Sequence, residues 1–347
     1  AEISTSDAHG NSQTYYFNYK VKPVAPTVTP TVGGMVTSTD RTLRGTGIAG
    51  AKVKVTINNR ALPEVTVGRD GNWTVNLQTG LNSNHASSQA QLVNKDPLKV
   101  TQIVDGIESS ETNVTVAVGE AKVQPSVAGG TSVYAGAKTI TVKAPHDAGI
   151  FYVKYREKDS NQEKQIEIKR DSISDPWTSI TPNLGVVTGN VTKDGFSDTV
   201  TIEMKESIKE GSISAVANIR QGGYSSPYSW QATPVTNEAP TLTPTFTGPK
   251  KVVEYGTPFN PTELVRASDK EDSPGLTRGN GTQVEVVSVN GNTGNKTINT
   301  NQVGRYTVRL KATDSQGKVS SEKDVTVEVK PVAPTVTPTV GGMVTST

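Results

Sequence analysis

Four carboxylates hold the clearest chemical potential in this sequence: Asp269, Glu271 and Asp272 in the stretch ASDKED, and Asp314 in the later stretch ATDSQG. Carboxylate oxygens are hard ligands. Calcium takes about six to eight oxygens, so acidic loops meeting near one end of a β-domain could hold it. The competing reading is local: an Asp in a turn accepts hydrogen bonds from backbone N–H groups close by in sequence. Neither loop has the dense D-x-D-x-D-G spacing of an EF-hand-type site.

Other chemistry finds little support. The three histidines, His9, His85 and His146, are far apart, and there is no cysteine. A Ser-His-Asp or Cys-His set and a zinc site therefore lack their parts. Paired carboxylates for glycoside cleavage need a cleft that these short segments do not suggest. The chain is accordingly read as not an enzyme. Gly45-Thr-Gly47-Ile-Ala-Gly50 is a formal G-x-G-x-x-G, but an alternating β-branched run follows it. No helix N-terminus is there to hold a pyrophosphate, so the glycines are assigned to tight turns. Calcium is the only cofactor considered. The net charge of +2 with intermixed signs excludes the basic face of a nucleic-acid binder. No apolar run approaches the ~20 residues of a membrane-spanning helix.

The elements that would position these residues are strands. Only 33% of residues are hydrophobic and 5% aromatic across 347 residues, which suggests several thin cores. Residues 329–347 repeat residues 21–39 letter for letter, 308 positions apart, the mark of an array. Within that period APTVTPTV at Ala25–Val32 recurs as APTLTPTF at Ala239–Phe246, and again at Ala333–Val340. Together with the weaker VQPSV at Val123–Val127, the shared prolines Pro30, Pro125, Pro244 and Pro338 lie 95, 119 and 94 residues apart. Alternating Pro and Thr disfavours helix, so each motif is expected to be a short semi-rigid joint running into a first strand.

These spacings predict an all-β chain of tandem sandwiches joined end to end: the end of a preceding domain (1–22), domains at 23–118, 119–236 and 237–330, and the start of the next repeat (331–347). In the first domain Val53, Val55 and Ile57 share one strand face, and Trp73, Val75 and Leu77 share another after the turn Gly68–Gly71. The middle domain is expected to carry its surplus in Arg170–Gly189. A short helix would fit there, with Trp177 as a lid over the core edge or, less favoured, a binding platform. In the third domain Asn290-Gly291 signals a hairpin. The run Asp7–Tyr19, a polar turn and an aromatic strand, loosely matches Gln221–Trp230 and suggests a preceding domain of the middle type.

GTGIAGAKVKVTI…VGRDGNWTVNL, through Gly45, Gly47, Gly50, Asp70, Gly71 and Trp73, resembles the bacterial Ig-like repeats of Gram-positive surface proteins. The third domain, through Ala267, Asp269, Glu271, Asp272, Gly304, Tyr306, Val308, Ala312, Asp314 and Gly317, is similar to their cadherin-like relatives. The resemblance implies a repeat region of a staphylococcal or streptococcal type of wall-anchored adhesin. It implies an extracellular stalk, a monomeric elongated rod that carries an adhesive region away from the cell wall in adhesion or biofilm formation. Alternatives are repeats that themselves bind a host matrix protein or glycan, and accessory modules of a secreted enzyme. A glycan surface would draw on Tyr15, Tyr16, Phe17, Tyr224, Tyr228 and Trp230, for which core duty is the stronger reading. By analogy with such surface domains, Lys–Asn crosslinks beside a buried acid are conceivable, with no set singled out.

Overall fold

The computed structural model describes residues 2–31, 33–77, 92–93, 95–219, 231–272 and 283–335. His85, the stretch Gln221–Trp230 and residues 336–347 lie outside them. The described residues form strands and turns, as the alternation demands, with one 3-10 turn at Pro261–Leu264. The chain forms two compact units. One comprises Ala1–Val133, Lys138–Glu206 and Ser212–Pro234; the other comprises Tyr134–Ala137, Ser207–Gly211 and Val235–Thr347.

The first unit contains two sandwich-like modules. In the first module, Thr42–Thr46 pairs antiparallel with Asn72–Asn76. A second sheet is built on Lys52–Ile57 beside Pro97–Val104, with Thr112–Thr115 beyond. Period-two alternation sends Val53, Val55 and Ile57 inward to meet Leu43, Trp73, Val75, Leu98 and Val100, all of them buried. Burying one such side chain stabilises by about 1.5–3 kcal/mol.

The Pro–Thr motif is the edge of this module and not a spacer ahead of it. The Thr27 and Thr29 N–H groups donate to Thr46 O and Arg44 O at 2.8 and 2.7 Å. Pro26 and Pro30 fall on the alternate positions, whose N–H groups would point away from the sheet, so an edge strand tolerates them. Gly45 permits the close approach. A Cβ there would sit 1.8 Å from Thr27 O and 2.5 Å from the Trp73 ring. That contact, with the left-handed turn at Gly50 (φ +82°), accounts for glycine in this G-x-G-x-x-G. Gln102, fully buried, ties the same region together. Its Oε1 accepts from Ile48 N at 2.8 Å and its Nε2 donates to Val24 O at 2.8 Å.

The middle module has one sheet ordered Lys122–Val123, Thr139–Pro145, Ser197–Met204 and Gly185–Lys193. A facing set runs Gly211–Asn218, Ile150–Arg156, Glu163–Lys169 and Thr178–Ser179. Residues 170–189 contain turns and short strand segments instead of the expected helix. Trp177 is an interior residue. It is 3% exposed, packs edge-on to Phe151 at 5.1 Å and lies 4.1 Å under the Arg170 guanidinium.

In the second unit, Lys251–Glu254, Lys323–Lys330, Gly304–Thr313 and Gln283–Val289 form a four-stranded sheet whose first pair is parallel. Thr241–Pro244, the second Pro–Thr motif, pairs with Val265–Ser268. Val308, Leu310, Val325, Val327 and Val329 fill the core. The Asn290-Gly291 turn is present, with φ of +49° and +78°, but its second arm is the single bridge Val289–Asn292. The strand finds its partner in Gly304–Thr313 instead, because the intervening TGNKTINTNQ lacks apolar alternation.

Candidate functional site

The four carboxylates proposed for calcium meet in part. Asp269, 7% exposed, closes a local turn, its Oδ1 accepting from the Glu271 and Asp272 N–H groups at 2.9 and 3.0 Å. Asp272 crosses to the other loop and accepts from Ser315 N at 2.6 Å and from the Ser315 hydroxyl. Asp314, also buried, accepts from Gln316 N and Lys318 N at 2.9 and 2.7 Å, and from Asn237 Nδ2 at 2.8 Å. Glu271 reaches back to the segment entering this module, its Oε1 accepting from Glu238 N at 3.1 Å.

Three buried oxygens are left without a hydrogen-bond donor: Asp269 Oδ2, Glu271 Oε2 and Asn237 Oδ1. The Asp269 carboxyl lies within hydrogen-bonding reach of Glu271, where two acceptors need a shared proton. Burial first, and this contact next, push the Glu271 carboxyl up to about 7. Asp272 and Asp314 are already committed to donors. Among the described residues no group of three or more His, Asp or Glu side chains converges as a metal-holding set. The arrangement works as a clasp. Asn237 and Glu238, just ahead of the second Pro–Thr motif, are held by the acidic loop and by Lys318 Nζ, which donates to Asn237 O at 2.5 Å. The Lys318–Asn237–Asp314 constellation resembles a crosslinking set in composition only. The lysine bonds the main-chain carbonyl, while the Asn237 amide donates to Asp314.

A second clasp, inside the first unit, was not legible in the sequence. Residues 116–121, which lead from the first module into the middle one, are all buried. Ser38 N donates to Ala117 O at 2.8 Å, and Gly119 N donates to Ser38 Oγ at 2.9 Å. The same hydroxyl donates to Asp147 Oδ1 of the middle module at 2.6 Å. Arg41 pairs with Asp194 Oδ2 at 2.7 Å and lies 4.6 Å over the Phe196 ring. Asp194 itself is held below the usual carboxylate range, because the Phe196 and Ser197 N–H groups and Arg41 outweigh its desolvation.

The histidines stay apart. His9 sits in an exposed turn with its N–H on Asp7, and His146 is buried, its Nδ1 3.1 Å from Phe196 O. An open polar depression of about 240 Å³ in the first module is lined by Lys54, Lys99, Glu108 and Glu111. Its cations are paired as Lys54–Glu108 and Lys99–Glu111, so it offers no free charge to a ligand. Of the aromatics weighed for glycan contact, Tyr15, Tyr16 and Phe17 are exposed, while Tyr224, Tyr228 and Trp230 fall outside the described residues. No helix among the described residues is long and apolar enough to cross a membrane. Compared with known proteins, the chain matches no family model and no curated sequence.

Proposed function

We propose that this chain is a stalk segment of a large bacterial surface protein of the wall-anchored adhesin type. Its tandem Ig-like and cadherin-like modules would hold an adhesive region away from the cell wall. The observation that carries this reading is the passage from the first module to the middle one. Residues 116–121 include no exposed spacer, and Ser38–Asp147 and Arg41–Asp194 tie the modules across it. Flexible linkers let neighbouring domains swing, whereas a buried connection with side-chain ties restrains them. A binding or catalytic module needs a concave site with convergent polar groups. The depression described above has its charges already paired.

Repetition of a 308-residue period would then set the reach of such a stalk. Small-angle X-ray scattering tests the reading. A compact body of this length has a radius of gyration of about 20 Å, and modules held in line should give roughly twice that. A value near the compact figure overturns the stalk. The measurement is repeated with calcium and with chelator, because a calcium-bound Asp269–Glu271 loop would make the extended value depend on the ion.

A further inference from the structure

The hairpin Glu2–Ser6/Ser12–Tyr16 is exposed along its whole length, with register Glu2–Tyr16 to Ser6–Ser12. Its turn has a counterpart in the second unit. Asp7 N donates to Asn11 O, Gly10 N to Asp7 O, and the N–H groups of His9 and Asn11 to Asp7 Oδ1, at 2.8–3.2 Å. Asp314 N donates to Lys318 O, Gly317 N to Asp314 O, and the N–H groups of Gln316 and Lys318 to Asp314 Oδ1, at 2.7–3.2 Å. Gly10 and Gly317 both take positive φ, +84° and +93°.

The strands match as well. Superimposing the turns sets Ile3 on Leu310. The letter-for-letter repeat of residues 21–39 sets Tyr15 on Lys323, Phe17 on Val325, Tyr19 on Val327 and Val21 on Val329. The pairings agree independently: Ile3 faces Tyr15 as Leu310 faces Lys323, and Glu2 faces Tyr16 as Arg309 faces Asp324. Leu310, Val325, Val327 and Val329 are core residues no more than 5% exposed. Their counterparts Ile3, Phe17, Tyr19 and Val21 are 51–72% exposed. Tyr15 and Phe17 stack at 6.5 Å on that same apolar face.

We infer that residues 2–21 are the closing hairpin of a sandwich of the third type, and that their apolar face takes a segment equivalent to residues 237–308, joined in cis. In the second unit that hairpin is the middle of the sheet. Lys251–Glu254 lies against one edge and Gln283–Val289 against the other. A two-stranded hairpin with open edges is marginal in water by itself, and such edges seek strands. The same comparison replaces the middle-type assignment suggested by the aromatic composition of Asp7–Tyr19. A second copy of this chain is a poorer occupant, because its own Lys251–Glu254 and Gln283–Val289 are already paired with Lys323–Lys330 and Gly304–Thr313.

The test joins residues 237–308 to Glu2 of the full chain, in the register given by Arg309–Glu2 equivalence. Chymotrypsin cleavage after Tyr15, Tyr16, Phe17 and Tyr19 is followed by mass spectrometry in the chain with and without this extension. The expected result is a further cooperative unfolding transition and cleavage slowed roughly tenfold or more by the extension. Adding Tyr19→Lys and Val21→Lys to the extended chain should restore cleavage, whereas Val21→Ile should not. Equal cleavage in both chains, or an extension that stays unfolded, overturns the inference. So does equal protection by a segment taken from the middle module, or a concentration-dependent dimer of the unextended chain with a protected hairpin.

Discussion

Replacing Asp198 with alanine should unfold the middle module at markedly lower denaturant. Asp198 and Arg170 are both fully buried, with side-chain exposures of 2% and 1% and an N–O distance of 2.6 Å. Burial pulls the Arg170 guanidinium below its ordinary value, and Asp198 is the first influence opposing that. Asp198 Oδ2 also accepts from Trp177 Nε1 at 3.0 Å, while Arg170 donates to the Ala148, Ile173 and His146 carbonyls. Without Asp198 the guanidinium keeps three neutral acceptors but loses its hydrogen-bonded counter-charge, leaving only the weaker influence of Asp147 and Asp175. Breaking one side of a buried pair costs about 3–5 kcal/mol. Asp198→Asn keeps an acceptor for Trp177 and should cost about 1.5–3 kcal/mol, the range for a hydrogen bond to a charged group. The double variant Arg170→Met, Asp198→Leu should recover most of the loss, because it leaves no charge stranded. Urea unfolding followed by tryptophan fluorescence reads this out, with Trp177→Phe, which keeps Trp73, identifying the middle-module transition. A loss below about 1 kcal/mol for Asp198→Ala, or a double variant worse than either single one, would refute the reasoning.

Four further substitutions address the edge strand and the clasps. Gln102→Leu should cost about 1–3 kcal/mol, since Ile48 N and Val24 O lose a buried partner; unchanged hydrogen exchange at Ile48 would count against it. Ser38→Ala should loosen the second clasp by about 1–2 kcal/mol through the lost Asp147 and Gly119 bonds. Arg41→Ala should cost under about 1 kcal/mol, because that ion pair is partly exposed and screened by salt; residual dipolar couplings that stay fixed between the first two modules in both variants would show that neither bond matters. Glu271, with its carboxyl raised to about 7, binds its proton more tightly folded than unfolded, so its contribution is present below about pH 4.5 and lost as pH rises through 7. After discounting for its partial exposure, about 1–2 kcal/mol should disappear between pH 5 and 8. Glu271→Gln should flatten that slope, and an unchanged slope in thermal melts would remove Glu271 as its source. Calcium at pH 8 should restore the lost stability only if Asp269 and Glu271 take the ion.

Much of the strand framework was legible because alternation is a local property. Val53, Val55 and Ile57 had to face one way, and in the structure they do. The acidic loop was legible as a cluster, though its chemistry was not. Which oxygens of Asp272 and Asp314 are already bonded depends on Ser315 and Asn237, which carry no pattern of their own. At the terminal hairpin composition and spacing point different ways: the aromatics of Asp7–Tyr19 match Gln221–Trp230, while the Asp-x-x-Gly interval matches Asp314–Gly317, and the hairpin proposal above rests on the second.

By itself the sequence determined that the chain is all-β, that its period is 308 residues, and that a Pro–Thr motif recurs within each period. Those properties come from side-chain alternation and from proline's missing donor, and both act over a few residues. Only the tertiary structure decided that the motif is a sheet edge, that Ser38 meets Asp147 across 109 positions, and that Arg170 is buried against Asp198. Those contacts arise where separate strands close on one another, and the polar groups that meet there must satisfy each other because water has been excluded.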